Sequence, residues 1–441
     1  MLVVLLFSGG VLVSKQVAQQ SIPRDQRDNA LEAENFLPYP RPAGKTSSWA
    51  TIVSSMKQNF LILFFLIVIM SSCSKPYFGN SNVEDYLIYV VDNYPPGQGQ
   101  LVFYDPETEQ HIPILPEFEI FAISISTNNR LAFSSSAQGD SNIYVVDYPF
   151  INNTPVNITQ ESTWSDYPIA WSADGKYLAL QSVEGLEGRL QIWDGKKLSE
   201  IYQFKNFISE VTWGPDYQLA FTQFASNGDP SEIFIWDGSQ VVSVSQNPGG
   251  VDRFPNWNEK GQLAFLSERG GEYDIFVWDG LSKKAGIPDV RSFMNVAPDL
   301  TGYMSQPEWN HANTLTFTGN APSESVQIYE WDAQRTHNIS QNPEFHNGGQ
   351  KWRSDGYWSF TTFFSSEQLL YIRDEENQTV LSTNGQYPSA WSQRGYLMFC
   401  SKAPSGWTLS MWNGKSVIEV ISGSIITAEW QNGTGVSCTS G

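Results

Sequence analysis

A motif that returns about every 42 residues constrains this chain more than any other feature. The segment "DIFVWDG", 274–280, recurs as "LQIWDG" at 190–195, "IFIWDG" at 233–238, "IYEWD" at 328–332 and "LSMWNG" at 409–414. Weaker copies are "LVFYD" at 101–105, "IYVVD" at 143–147 and "LYIRD" at 370–374. The residue before the acidic (or Asn) position is Tyr104, Val146, Trp193, Trp236, Trp278, Trp331, Arg373 and Trp412, at spacings of 42, 47, 43, 42, 53, 42 and 39. A second series runs out of phase with the first. Its members are "WSADGKYLAL" from Trp171, "WGPDYQLAF" from Trp213, "WNEKGQLAF" from Trp257, "WNHANTLTF" from Trp309, "WRSDGYWSF" from Trp352 and "WSQRGYLMF" from Trp391, with Ile125 opening a weaker copy and "AEW" at 428–430 stopping where the pattern begins.

Each unit reads as four short strands. The first ends in an aromatic residue, a polar turn leads to an alternating apolar strand, a variable loop leads to the motif strand, and Asp-Gly turns into the fourth. Asp-Gly between two strand-like runs is a hairpin signal of the type I′ kind, because glycine tolerates positive φ. A period near 42 with four strands predicts an all-β chain folded as one β-propeller. The copies count eight blades, with seven the alternative if one weak copy is irregular. The chain enters at "YLIYVV", 86–91, a second strand, and leaves after "IITAEW", 425–430, a first strand. Those ends are expected to complete one blade between them.

The segments "FPNWNEKGQLAFLSERGGEYDIFVWD", 254–279, and "YPIAWSADGKYLALQS", 167–182, resemble the TolB-type, WD-like propeller repeat, as do the recurring "NITQ", "SVSQN" and "NISQN". The resemblance covers 86–432. It implies the fold strongly and an activity weakly, since propellers host many functions.

A different signal lies upstream. "MKQNFLILFFLIVIMSSCSK", 56–75, places a lysine before eleven apolar residues, Phe60–Met70. As a helix these span only about 16 Å, short of the roughly 30 Å hydrocarbon core, and fit a signal-peptide hydrophobic region. Ser71 and Ser72 before Cys73 resemble a bacterial lipobox, which implies cleavage before Cys73 and acylation of its thiol; Met70 departs from the usual Leu, Val or Ile. On this reading residues 1–55 are an upstream extension from a misassigned start, 56–72 the signal peptide, 73–85 a linker, 86–432 the propeller and 433–441 a tail. The expected location is the cell envelope, held to the membrane through the lipid alone.

Net charge is −20, and removing residues 1–72 leaves 20 basic against 42 acidic side chains, or −22. Such a body repels a phosphate backbone, so nucleic acid is not an expected partner. The cysteines are Cys73, Cys400 and Cys438, without a CxxC pair. In "GYLMFC" Cys400 reads as a buried free thiol, pairing with Cys438 being the alternative in an oxidising compartment.

A residue type present in most blades serves the blade. Trp193, Asp194, Trp236, Asp237, Trp278, Asp279, Trp331, Asp332 and Trp412 are therefore read as architectural. Function is sought where blades differ, in loops such as "QESTWSDYP" at 160–168, "ASNGDP" at 225–230 and the insertion at 287–307. Phe293, Met294, Tyr303 and Met304 in that insertion are candidate interface anchors. Asp252 and Arg253 are candidates for the central channel, or for a local salt bridge.

His111, His311, His337 and His346 show no metal-ligand spacing, and no nucleophile elbow, phosphate loop or dinucleotide fingerprint occurs. The eleven residues after Trp430 leave an appended hydrolase domain out of expectation. No catalytic residue, cofactor or metal is assigned. The expected function is a non-catalytic, monomeric envelope lipoprotein that scaffolds a protein or cell-wall partner. The alternative is a glycan-binding or glycan-active propeller with its site at the channel mouth.

Overall fold

The computed structural model describes residues 3–7, 10–14 and 85–438, apart from short stretches within the last span. The chain divides into two compact units, residues 15–81 with Met1, and residues 2–14 with 82–441. All described residues belong to the second; Cys73 and the hydrophobic segment before it lie outside them. Strands Val3–Phe7 and Gly10–Ser14 pair as a hairpin.

The rest is a β-propeller of four-stranded antiparallel blades. Blade one comprises Ile120–Ile125, Arg130–Ser135, Asn142–Asp147 and Val156–Asn157. Blade two comprises Ser165–Trp171, Leu178–Glu184, Glu187–Trp193 and Leu198–Lys205. Blade three follows with Phe207–Trp213, Leu219–Phe224, Ser231–Trp236 and Val241–Ser243. Blade four is Asp252–Trp257, Leu263–Arg269, Glu272–Trp278 and Met294–Asn295. Blades five, six and seven begin at Met304, His346 and Gln386 and end at Asn338, Asn384 and Ser422. Blade eight joins Ile425–Trp430 to Leu87–Asn93, with Leu87 opposite Trp430, and adds Gln98–Asp105 and Gln110–Ile114. That makes eight blades, built from both termini of the repeat region as the pattern of partial units predicts.

Burial explains the composition of each strand. Second strands are enclosed by blades on both faces, so Leu263, Ala264, Phe265, Leu266 and Ser267 are all buried. Outer strands face solvent, and in Leu198–Lys205 Phe204 is the buried residue. The first-strand tryptophans bind one blade to the one before. The indole N–H of Trp171 donates to the Ser124 carbonyl at 3.0 Å, Trp213 to Ala170 at 3.0 Å, Trp309 to Asn256 at 3.1 Å, Trp391 to Lys351 at 3.1 Å and Trp430 to Ala390 at 3.0 Å. Each acceptor directly precedes the residue equivalent to the donor in the preceding blade. Trp352 donates instead to Thr316 Oγ1, and the Trp257 N–H has no acceptor among the described residues. Trp257 lies over Gly214, where a Cβ would come within 2.8 Å of the ring.

Strand 87–93 enters beside Asp85, whose carboxylate accepts from Ser392 Oγ and from the backbone N–H groups of Gln393 and Arg394 in blade seven. Glu429, buried in the last first strand, accepts the Ile125 N–H of blade one at 3.0 Å. Burial pushes its carboxyl well above the ordinary carboxylate range.

Four sequence readings change. The Asp-Gly turns carry positive φ at the glycine, 93° at Gly195 and 95° at Gly238, and not at the residue after it, so they are not type I′, which needs both. The aspartate supplies the difference: Asp194 Oδ1 accepts the N–H of Lys196 and Lys197 and thereby holds the turn closed. Those donors also hold its carboxyl below the ordinary range. Cys400 is not a free thiol but is bonded to Cys438, their Cα atoms 5.5 Å apart. The reason is that residues 435–438, read as tail, turn back as a strand on 425–430. Met294 lies in the outer strand of blade four, so the long insertion precedes that strand instead of following it. Asp252 and Arg253 do not pair with each other: Asp252 is buried against Ser267 and Asn247, whereas Arg253 meets Glu210 of blade three at 3.2 Å.

Two outcomes follow from these contacts. Gly214→Ala should lower stability by about 1–3 kcal/mol through forced displacement of the Trp257 ring, read as a fall in the denaturation midpoint. Glu429 binds its proton more tightly in the folded than in the unfolded chain, so its contribution is greatest at acid pH and is lost as pH rises through the raised folded value. Glu429→Gln should therefore be more stable than the parent at pH 8, with the advantage shrinking towards pH 4, as denaturation across that range would measure.

Candidate ligand-binding groove

The repeat builds a second regularity across the middle strands. Phe221 stacks on Phe234 in blade three, Phe265 on Phe276 in blade four, Phe317 on Tyr329 in blade five, Phe360 on Tyr371 in blade six and Phe133 on Tyr144 in blade one. These pairs face one another across the second and third strands. They fill the space towards the preceding blade, where Tyr202 of blade two packs on Phe221 and Phe234. In blade two the same positions are Leu180 and Gln191. The rings are missing, and a groove of about 790 Å³ opens there between blades one and two.

One wall comes from the connection between the two blades. Ile158 and Thr159 are fixed to Ile143, Ile158 by its N–H to the Ile143 carbonyl and Thr159 by Oγ1 accepting the Ile143 N–H. Asn157 Oδ1 accepts the Thr159 N–H, and Gln160 Nε2 donates to the Asn157 carbonyl. The other wall is the face of blade two. Gln191 Oε1 accepts from Ser182 Oγ at 2.7 Å, which leaves the Gln191 amide nitrogen without a partner among the described residues. Trp193 and Leu198 line the groove beside the turn that carries Lys196. Behind them the Arg130 guanidinium lies over both Trp171 and Trp193 and pairs with Asp147 at 3.1 Å.

The mouth is set by Trp164 and Arg189. Trp164 comes from the interblade loop, and the Arg189 guanidinium lies over its ring at 4.1 Å. Nε of Arg189 is 3.5 Å from Glu200, and the terminal nitrogens carry no hydrogen bond among the described residues. A planar cation held by an aromatic face, with donors unspent, is prepared for a carboxylate or another planar acceptor. The groove combines the cations Arg189 and Lys196, the buried Asp166, amide side chains and hydroxyls in a concave space of ligand size.

The candidates from sequence lie elsewhere and do not form one patch. Met304 is buried at the start of blade five and Phe293 packs edge-on against Phe265, whereas Met294 and Tyr303 are 50% and 57% exposed. Trp193, Trp278, Trp331 and Trp412 are buried and Trp236 partly so; Trp193 alone of this set lines the groove. Asp237 and Asp332 close their turns by accepting two backbone N–H groups each. The histidines are apart: His111 is bonded to Tyr89, His337 sits 3.3 Å from Glu330, His346 accepts the Val326 N–H and His311 lies against Trp352. No group of three His, Cys, Asp or Glu side chains suited to a metal ion occurs among the described residues. Loop 160–168 is among the irregular loops that the sequence marks, but Trp164, Arg189 and Gln191 are not singled out by it. The signal was in the motif itself, whose second residue before the tryptophan position is Tyr144, Phe234, Phe276, Tyr329 or Tyr371 in five copies, but Gln191 here, Ser410 in blade seven and Val102 in blade eight.

No protein-family model matches the chain, and no curated protein does. Solved structures do. The chain is similar to TolB from Acinetobacter baumannii at 14% identity and a TM-score of 0.40, over 70% of this chain and 81% of that one. It is similar to prolyl oligopeptidase B from Galerina marginata at 10% identity and a TM-score of 0.52, over 70% of this chain and 51% of the enzyme. Porphyromonas gingivalis dipeptidyl peptidase 4 matches at 12% identity and a TM-score of 0.50, over 70% of this chain and 55% of that one. The chain thus spans about half the length of these two peptidases.

Gln191→Tyr supplies the residue type found in blades one and three to six. It should fold normally, close the groove and raise stability by about 1 kcal/mol from the added ring burial, measured as an upward shift of the denaturation midpoint. At such distances the likenesses show the fold alone: this chain is a β-propeller.

Proposed function

We propose that this chain is a cell-envelope lipoprotein whose propeller is a non-catalytic scaffold, and that the groove between blades one and two receives a segment of a partner protein. The observation carrying the reading is the departure of blade two from the aromatic pairing of its neighbours. The Leu180–Gln191 pair forgoes aromatic contacts worth about 0.5–1.5 kcal/mol and exposes polar side chains in a concave space. The lipobox-like "MSSC" ending at Cys73 supports export and anchoring, and the Cys400–Cys438 bond suits an oxidising compartment. Met294 and Tyr303, exposed at separate points around blades four and five, are proposed as secondary contacts. Glycan binding is the second reading, favoured by the combination of Trp164 with amide side chains in one groove.

Affinity capture from envelope extract, with cross-linking and mass spectrometry, tests the scaffold. One dominant protein should be captured by the parent and lost with Gln191→Tyr. A protein captured equally by both would reject the groove as its docking place.

A further inference from the structure

The scaffold reading leaves the chemistry of the captured segment open, and the groove narrows it. Arg189 and Lys196 face this groove on a body whose residues beyond position 72 carry net charge −22. Two acids oppose these cations: Asp166, buried in the lining of the groove, and Glu200, which reaches Arg189 at 3.5 Å and also accepts Gln203 Nε2 at 2.7 Å. Stacking on Trp164 fixes the plane of the Arg189 guanidinium while its terminal nitrogens stay unbonded. A fork of that kind accepts a carboxylate through two parallel hydrogen bonds. Next to it, the free amide nitrogen of Gln191 offers a donor for a backbone carbonyl.

Resting on the groove as the docking place, we infer that its occupant is an extended peptide segment bearing an acidic side chain, whose carboxylate takes the unbonded terminal nitrogens of Arg189. Glu200, on Nε of the same guanidinium, shares the cation and repels the incoming acid, and so lowers its affinity. The apolar part of the groove, formed by Ile158 and Leu198, takes an apolar side chain flanking the acid. A peptide is favoured over a sugar acid because the neutral amides of the groove, Asn157, Gln160 and Gln191, supply the donors and acceptors that a peptide group requires. Long-range repulsion from the acidic body is screened beyond about 8 Å at physiological ionic strength, so the local pair decides the contact.

The test is fluorescence anisotropy on the full chain. The probes are labelled hexapeptides carrying one Glu or Asp among Ser and Val, their Gln and Asn counterparts, and labelled oligogalacturonate. The acidic peptides should bind about tenfold tighter than their amide counterparts, the ratio expected for one good charge-assisted contact. Arg189→Gln should erase that ratio, Arg189→Lys should keep part of it, and Glu200→Gln should tighten acidic binding severalfold without affecting the amide peptides. A purely structural Arg189–Glu200 pair would give weaker binding, or none, in both variants. An absent acidic preference, or weaker binding in Glu200→Gln, overturns the inference. So does a preference for oligogalacturonate over every peptide, which would turn the groove towards sugar acids. Gln191→Tyr separates the two levels. If it abolishes binding of whichever probe binds, the groove survives a failed peptide inference; if it has no effect, the groove itself is rejected.

Discussion

The structure depends on a buried indole N–H that must find an acceptor. A tryptophan at the end of a first strand brings a large ring between blades, and its one donor cannot be left in an apolar space without cost. Five times the solution is the backbone carbonyl one residue before the equivalent position in the preceding blade. That contact sets the spacing and tilt of neighbouring blades together, because it ties a side chain of one to the main chain of the next. With this geometry set, second strands are enclosed on both faces and are built of apolar residues and small polar ones such as Thr222, Ser267 and Thr316. Outer strands remain exposed, and their sequences drift. The exceptions are local. Around Trp257 the N–H goes without an acceptor among the described residues, and Gly214 gives the ring room.

Much of this was legible because repetition is visible in one sequence. Two out-of-phase series fixed the strands and their order, and the partial units at 86–91 and 425–430 foretold the pairing of Leu87 with Trp430. What was not legible depended on contacts that carry no period. The strand at 435–438 lies beyond the last repeat, so the Cys400–Cys438 pair could be read only as the alternative to a buried free thiol. The turn type was misread because Asp-Gly also suits a loop in which the aspartate carboxylate, rather than a second left-handed residue, satisfies the backbone. The outer strand of blade four was displaced by an insertion whose length hid the resumption at Met294.

The candidate groove was hidden for a different reason. It is not a cluster of reactive residues; its mark is the lack of a ring where both neighbouring blades and three others have one. Gln191 is unremarkable alone and informative only in register with Phe234, Phe276, Tyr329 and Tyr371. Loop 160–168 drew notice through its irregularity, yet its Trp164 gains meaning from Arg189, which lies on a strand and looked like any surface cation.

Arginine over aromatic rings recurs in this propeller, and blade two uses it differently. Arg269 lies over Phe276 and Phe293, and Arg373 over Trp358 and Phe360, so in blades four and six a guanidinium covers a ring that the middle strands supply. In blade two it comes from Arg189, four residues before Trp193, where blades three to six carry Glu232, Asp274, Gln327 and Leu369, and the ring it covers is the loop residue Trp164. Such a contact contributes about 0.5–2 kcal/mol depending on exposure. The interblade tryptophans and the pairing of the second and third strands follow the common pattern in blade two, so the polar lining of the groove is carried on a regular blade.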